Sequence, residues 1–255
     1  MMLPKPNDGF VWVQAAAGPA LVCSALRPFA DHLFTTRLWA LGSALGPAPE
    51  SAWEEVARAL AVDPAHLIRA HQVHGASVVV RRASRDAPSP ATPADLPDAD
   101  ILVSDDARLA LAIQTADCVP LLMADRRTGA VAAAHAGWRG LAAGVIENVV
   151  RAMGVAPESL IVYLGPAIGA GAYEVGADVF DAFVASDPDA ATAFALRGAG
   201  KFLADLNLLA RRRLGQLGVA RIHGGNLCTY SDPERLYSYR RDGATGRMAS
   251  LVWME

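Results

Sequence analysis

The chain has little charge to spare and no long run of it. Its 255 residues carry a formal net charge of −3, and no lysine- and arginine-rich run is longer than the three arginines 211–213. A surface that tracks nucleic-acid phosphates needs a basic face, so no nucleic-acid partner is expected. No apolar run reaches the roughly 18 residues of a spanning helix, so no membrane is expected either. The opening MMLPKPNDGF has no signal-peptide pattern, and the expected location is the cytoplasm. Cysteine is scarce: Cys23, Cys118 and Cys228 are odd in number, far apart and never in a CxxC pair. That excludes a disulfide framework and leaves buried hydrophobes or a functional thiol. Histidine is scarce too. The six are His32, His66, His71, His74, His135 and His223, with no His-x-His pair. A cluster of coppers would need many imidazoles, so a multicopper centre is not expected. GxSxG, P-loop and HExxH patterns are absent, and the glycines of GPAIGAGAYEVG do not follow GxGxxG spacing.

What is present is core. Hydrophobic residues make up 53% of the chain, enough for one large domain over 1–255. PESAWEEVARALAV predicts a helix, with Ser51 and Glu54 in a capping-box relation. SVVVRR, ADILVS, LALAIQT, AVAAAHA and LIVYLGP predict strands. LAAGVIENVVRAMG, GADVFDAFVA and DLNLLARRRLGQLG predict helices, the first stopped by Gly154. LYSYRRDGATGRMASLVWM predicts a hairpin turning at DGATG, its alternating aromatics mostly core. Residues 83–100, with four prolines, predict a surface excursion. Strands run throughout and helices alternate with several of them, which predicts an α/β or α+β layered domain.

Three apolar segments each deliver a possible metal ligand where they end. HQVHG carries His71 and His74, QTADCVP carries Cys118, and AVAAAHAGWRG carries His135. Glycine or proline follows close behind each and turns the chain. Strand ends that meet at a common cleft are where layered folds place their sites. Two imidazoles and a thiolate make a three-ligand zinc set with one open position. Copper is a possible substitute on the same donors. Read singly, each is as well explained as a hydrogen-bonded core histidine or an inert buried thiol.

Read together, HQVHGASVVV, DADILVSD, TADCVPLLMAD, AAHAGWRGLAAGVIENVV, LGPAIGAGAYEVG, NLCTY and YSYRRDGATGRMASLVWM resemble the YfiH-like family. Its members have been named multicopper polyphenol oxidases, laccase-domain proteins and purine nucleoside phosphorylases. The resemblance runs from about residue 66 to the C-terminus. It implies a single-domain four-layer α-β-β-α sandwich of the cysteine-hydrolase type. It implies zinc on His74, Cys118 and His135, with His74 chosen over His71 because the family motif is QVHG. The first 65 residues depart from the pattern. HLFTTRLWALGS keeps Arg37 but has Leu38, Trp39 and Ala40 where the family has glycines.

The resemblance also implies phosphorolysis of adenosine, inosine and methylthioadenosine to base and ribose 1-phosphate, with a side activity as adenosine deaminase. The expected partners are therefore a small nucleoside and phosphate, on a monomer or small homo-oligomer. Candidate anion contacts are Arg37, Arg139, Arg240, Arg241 and Arg247, each of which reads equally as a solvated charge. Tyr173 is a candidate for stacking on a base. Cys118 reads as ligand or nucleophile, and Asp117 as a group that orients a ligand, takes a proton or caps a turn. A hydrolytic alternative is a cysteine or zinc amidase that edits a peptidoglycan precursor. A copper polyphenol oxidase is the least favoured reading, for want of histidines.

Overall fold

The computed structural model describes residues 9–15, 17–42, 46, 48–83 and 96–254. Most of the proline-rich stretch expected as a surface excursion, residues 84–95, lies outside them.

Strands β1 (Phe10–Ala15), β2 (Gly18–Cys23), β3 (Asp31–Thr35), β4 (Leu67–Ile68), β7 (Ala110–Thr115) and β15 (Met248–Trp253) form one sheet in the order β1-β2-β3-β15-β7-β4. A second contains β5 (Val78–Arg81), β6 (Ile101–Ser104), β8 (Val119–Asp125), β9 (Val131–Ala136), β10 (Leu160–Leu164) and β14 (Arg221–Gly224), ordered β14-β10-β8-β9-β6-β5. A small third sheet holds β11 (Glu174–Gly176), β12 (Phe194–Gly198) and β13 (Lys201–Ala204). Pairing is antiparallel except for β4 with β7, β5 with β6 and β10 with β14. The fold is mixed α+β.

The two large sheets share a core. Phe34, Leu111, Ile113 and Val252 of the first pack with Leu102, Leu122, Ala133 and Tyr163 of the second. Helices α3 (Val145–Met153) and α5 (Leu206–Gln216) cover the other face of the second sheet, with Ile146, Val149 and Leu209 against Leu121, Ala132 and Ala134. Helix α1 (Glu50–Ala59) sets Trp53, Val56 and Ala57 on Leu33, Ala112 and Leu251 of the first. Strands β8 and β9 are covered on both faces, which is why their sequence is a continuous apolar run rather than an alternation. Alanine at 132, 133 and 134 keeps both layers close.

Four connections pass between the two large sheets, and two of them lead from the first to the second. Residues 69–77 cross from β4 in the first sheet to β5 in the second, and 116–118 cross from β7 to β8 in the same direction.

Four local expectations change. The segment expected as a hairpin is none: Tyr239–Asp242 is a helical turn, α6, and only Met248–Trp253 is a strand, paired with β3 and β7. Ser238 caps that turn by accepting from the Arg241 N–H, which overrides the alternating pattern. Tyr239 is accordingly exposed and not core. Ser51 does not cap α1. The cap position is Pro49, whose extended backbone already precedes the helix, and Ser51 lies within it. The helix expected to begin at Leu141 is two, α2 (Trp138–Ala142) and α3, broken where Gly144 takes φ +87°. Gly154 ends α3 at φ +68°, as its sequence position implied. In the divergent N-terminal part, Trp39 is buried and its indole N–H donates to the Pro19 carbonyl. Trp39 thus fills the outer core.

His32 is a buried residue of β3 whose ring reaches the end of β2. Its Nδ1–H donates to the Ala30 carbonyl and its Nε2 accepts the Cys23 N–H. A second proton would face that N–H. Burial lowers its pKa to about 4, with Arg27 adding to the effect and the Ala30 bond opposing it. The unfolded chain takes up this proton near 6.5, the folded chain only near 4, so stability falls as the pH drops through that window. The integrated loss is about 3 kcal/mol. Urea unfolding of wild type and His32→Gln across this range checks it: the stability difference between the two should move with pH by that order. A pH-independent difference would show that His32 is not the acid-sensitive group.

Candidate metal centre

The centre is built around one buried carboxylate. Asp100 sits immediately before β6 and is fully buried. Its Oδ1 accepts the His74 N–H at 3.0 Å and the His135 Nδ1–H at 2.7 Å. Its Oδ2 accepts the N–H groups of Gly75 at 2.6 Å and Val73 at 3.3 Å. Burial works to raise the Asp100 carboxyl, and the bonds from His135, Gly75 and His74 outweigh it and hold it below the usual carboxylate range. A carboxylate that accepts on both oxygens fixes the turn and the ring together. His74 itself has φ +61°, a left-handed turn that these bonds hold in place.

With Nδ1 of His135 committed to Asp100, its Nε2 is left for the centre. This is the carboxylate–histidine arrangement that sets tautomer and ring direction at metal sites. The ligand atoms of His74, Cys118 and His135 lie within 4.8 Å of one another. The two imidazoles meet edge to face, centroids 4.7 Å apart. Burial would raise the Cys118 thiol, yet hydrogen bonds from His135 and His74 and their charge bring it down. His135 shifts the other way. Burial lowers it, and Asp100 and Cys118 more than restore it, so it is held protonated well above the usual range. Both shifts run in the direction that favours a thiolate beside a protonated ring when no cation replaces the proton. Among the described residues no other group of three metal-binding side chains occurs. The donors, two imidazoles and a soft thiolate in near contact, suit zinc or copper.

Space for this comes from Gly137. A Cβ there would stand 2.8 Å from Cys118 Sγ and 3.4 Å from His74 Cδ2. Only glycine lets the chain leave β9 beside the thiol.

The three side chains open on a cavity of about 1040 Å³. Asp117, Arg139, Tyr173 and Arg240 line it, as do Arg69, Trp138 and Arg247. Arg139 lies over Trp138 at 4.5 Å, Arg240 over Tyr173 at 4.8 Å and Arg247 over Tyr239 at 5.9 Å. His71 is on the wall, its Nδ1 bonded to Asp98 at 2.8 Å, outside the three-ligand group. Arg37 and Arg241 are not among the lining residues. Arg37 donates to the Pro233 carbonyl and stacks on Tyr237, and Arg241 donates to the Thr229 and Leu236 carbonyls and pairs with Asp242. Both hold loops together.

Asp100 was not among the residues singled out from the sequence. Its one signal was an acidic residue at the mouth of a wholly buried strand, where an uncompensated charge would be costly. Gly137 was equally hidden, since a glycine after a strand reads as a turn.

Three comparisons bear on this centre. The family described as multi-copper polyphenol oxidoreductase laccase matches residues 48–255. A Pseudomonas aeruginosa protein named a purine nucleoside phosphorylase is 50% identical over 72% of this chain and 72% of its own. Escherichia coli YfiH, also named a purine nucleoside phosphorylase, is 43% identical over 84% of this chain and 85% of its own. The crystal structure of a Neisseria meningitidis protein superposes with a TM-score of 0.80, covering 97% of this chain and 99% of the other at 42% identity.

Asp100→Asn keeps the shape but turns an amide NH₂ toward donors. Affinity for a cobalt(II) probe, measured by chelator competition, should fall by about 10- to 100-fold. An unchanged affinity would show that the carboxylate does not organise the centre.

Proposed function

The chain belongs to the YfiH-like family whose profile carries the laccase description, and from that membership we propose that it is a zinc-dependent purine nucleoside phosphorylase. The substrates are adenosine, inosine and methylthioadenosine, split by phosphate to base and ribose 1-phosphate, with adenosine deamination as a side activity. The observation that carries the reading is the shared cavity. The His74, Cys118 and His135 donors share this space with four arginines, of which Arg69 is paired with Glu50 and Arg139, Arg240 and Arg247 remain. None of these three is ion-paired to a carboxylate among the described residues. Uncompensated guanidiniums around a cavity fit a multiply charged anion, and phosphate is the anion that phosphorolysis needs.

Zinc held by the three donors supplies Lewis acidity at one edge of the cavity. The chain does the rest. Arg139, Arg240 and Arg247 balance the charge of phosphate and orient it. Tyr173 offers its ring to a base. Its phenol is pushed up to about 12, chiefly by burial and then by the charge of Cys118, so it stays neutral and able to donate. Asp100 holds His135 in the tautomer that serves the centre.

The copper polyphenol oxidase reading is disfavoured by the ligands. A copper cluster needs several imidazoles in one place, and only His74 and His135 share the three-ligand group. A second reading draws on a specific observation. Cys118, His135 and Asp100 stand in line as thiolate, imidazolium and orienting carboxylate, the order that a cysteine amidase uses. Its substrate would be a peptidoglycan precursor. As to architecture, we take the sheets with α1 on one outer side and α3 and α5 on the other as the four-layer sandwich of the cysteine-hydrolase type.

Incubation of zinc-loaded protein with adenosine and phosphate should yield adenine and ribose 1-phosphate, and the yield should vanish without phosphate. Cys118→Ala should lower turnover at least about 100-fold. Phosphate-independent cleavage of an amide would favour the hydrolase, and equal turnover by the Cys118 variant would sink both readings.

A further inference from the structure

Asp117 stands one residue before Cys118 with φ +102°, where side chains other than glycine are rarely found. Such a backbone persists only when its surroundings over-determine it. Three contacts do so. Its carbonyl accepts the Ile168 N–H at 2.9 Å. Its Oδ1 accepts the hydroxyl of Thr229, itself fully buried, at 2.6 Å. Its Oδ2 accepts the Arg240 N–H at 2.6 Å.

The three donors come from three separate segments: the glycine-rich loop after β10, the loop after β14, and the start of α6. Each segment brings a group to the cavity or supports one that does. The glycine-rich loop carries Tyr173, and α6 carries Tyr239 and Arg240. From its tethered N–H, Arg240 sends its guanidinium over the Tyr173 ring at 4.8 Å and donates to the Glu174 carbonyl at 2.6 Å. The crossover that delivers Cys118 and the arginine that faces it are therefore joined through one carboxylate. Both oxygens of that carboxylate already accept a short bond.

We infer that Asp117 is a positioning residue that locks the Arg240 guanidinium at a fixed place relative to Cys118, and is not the group that moves a substrate proton. The inference rests on the phosphorolysis reading for its choice of anion, inorganic phosphate. A residue that acts through Arg240 should be felt in phosphate binding. A proton-transfer residue should be felt in turnover alone.

The experiment uses the zinc-loaded full chain and compares wild type with Asp117→Ala, Asp117→Asn, Arg240→Ala, the Asp117→Ala/Arg240→Ala double variant and Thr229→Val. Metal content, the calorimetric Kd for inorganic phosphate and steady-state turnover are measured. Asp117→Ala should weaken phosphate about tenfold, the scale of one lost charge-assisted hydrogen bond, with one zinc retained. The double variant should bind no more weakly than Arg240→Ala, because the two changes remove one interaction. Asp117→Asn, which keeps an acceptor oxygen and the shape, should lose only about a third of that effect on a logarithmic scale. Thr229→Val leaves Asp117 in place and should still weaken phosphate a few-fold, which keeps the test open if Asp117→Ala does not fold. Equal collapse of turnover in both Asp117 variants with wild-type phosphate affinity would overturn the inference, as would additive effects or a Thr229→Val protein that binds phosphate normally. A wild type that binds phosphate but cleaves no nucleoside would reject the phosphorolysis reading, while the binding data still decide the role of Asp117. A wild type that binds no phosphate would reject both.

Discussion

One ionised carboxylate with no exposure to water organises this molecule's centre. Left unpaired, Asp100 would be prohibitive at that depth. It is tolerated because four donors converge on it: three successive backbone N–H groups of the 73–75 turn and the ring of His135. The solvation problem and the site geometry have the same solution. The turn that satisfies Asp100 is the turn that aims His74, and the ring that satisfies it is a donor of the centre.

Around that point the packing is chosen for closeness. Alanine in β9 lets the strand lie deep between the facing sheet and α3, and Gly137 lets the chain depart within touching distance of the thiol. Larger residues would add burial, at about 25 cal/mol per Å² of apolar surface. They would also move His135 away from Cys118, so small side chains win where spacing matters more than area. Trp39 shows the opposite choice. On the outer face of the first sheet, away from the three-ligand group, a bulky ring fills the core with Ala20, Leu33 and Leu251.

Much of this was legible in the sequence, and the limits have physical causes. His74, Cys118 and His135 could be read because each ends an apolar stretch and is followed by a chain-turning residue, a local signal. The continuous apolar runs of β8 and β9 announced two-sided burial. Asp100 could not be read, because its partners lie 25 to 35 positions away and only the crossover from β4 to β5 and the pairing of β6 with β9 bring them together. The 236–242 segment misled because alternating aromatics mimic a strand, while a single serine cap and the Asp117 bond to Arg240 decide for a helical turn. Among five arginines of equal appearance, only the fold separates Arg139, Arg240 and Arg247, which line the cavity, from Arg37 and Arg241, which brace loops.

The two crossovers have a further meaning. His74 rides on the passage from β4 to β5 and Cys118 on that from β7 to β8, each leaving one large sheet for the other, and His135 closes the triangle from the end of β9. A cation shared by these three donors is a rivet through the seam of the sandwich. A ligand that binds only the native state adds stability as RT ln(1 + [L]/Kd), so the gain grows with the logarithm of free ligand once the site is saturated. A copy without a cation on these donors would lack that stabilisation, and the seam between the two sheets is where its loss would first be felt.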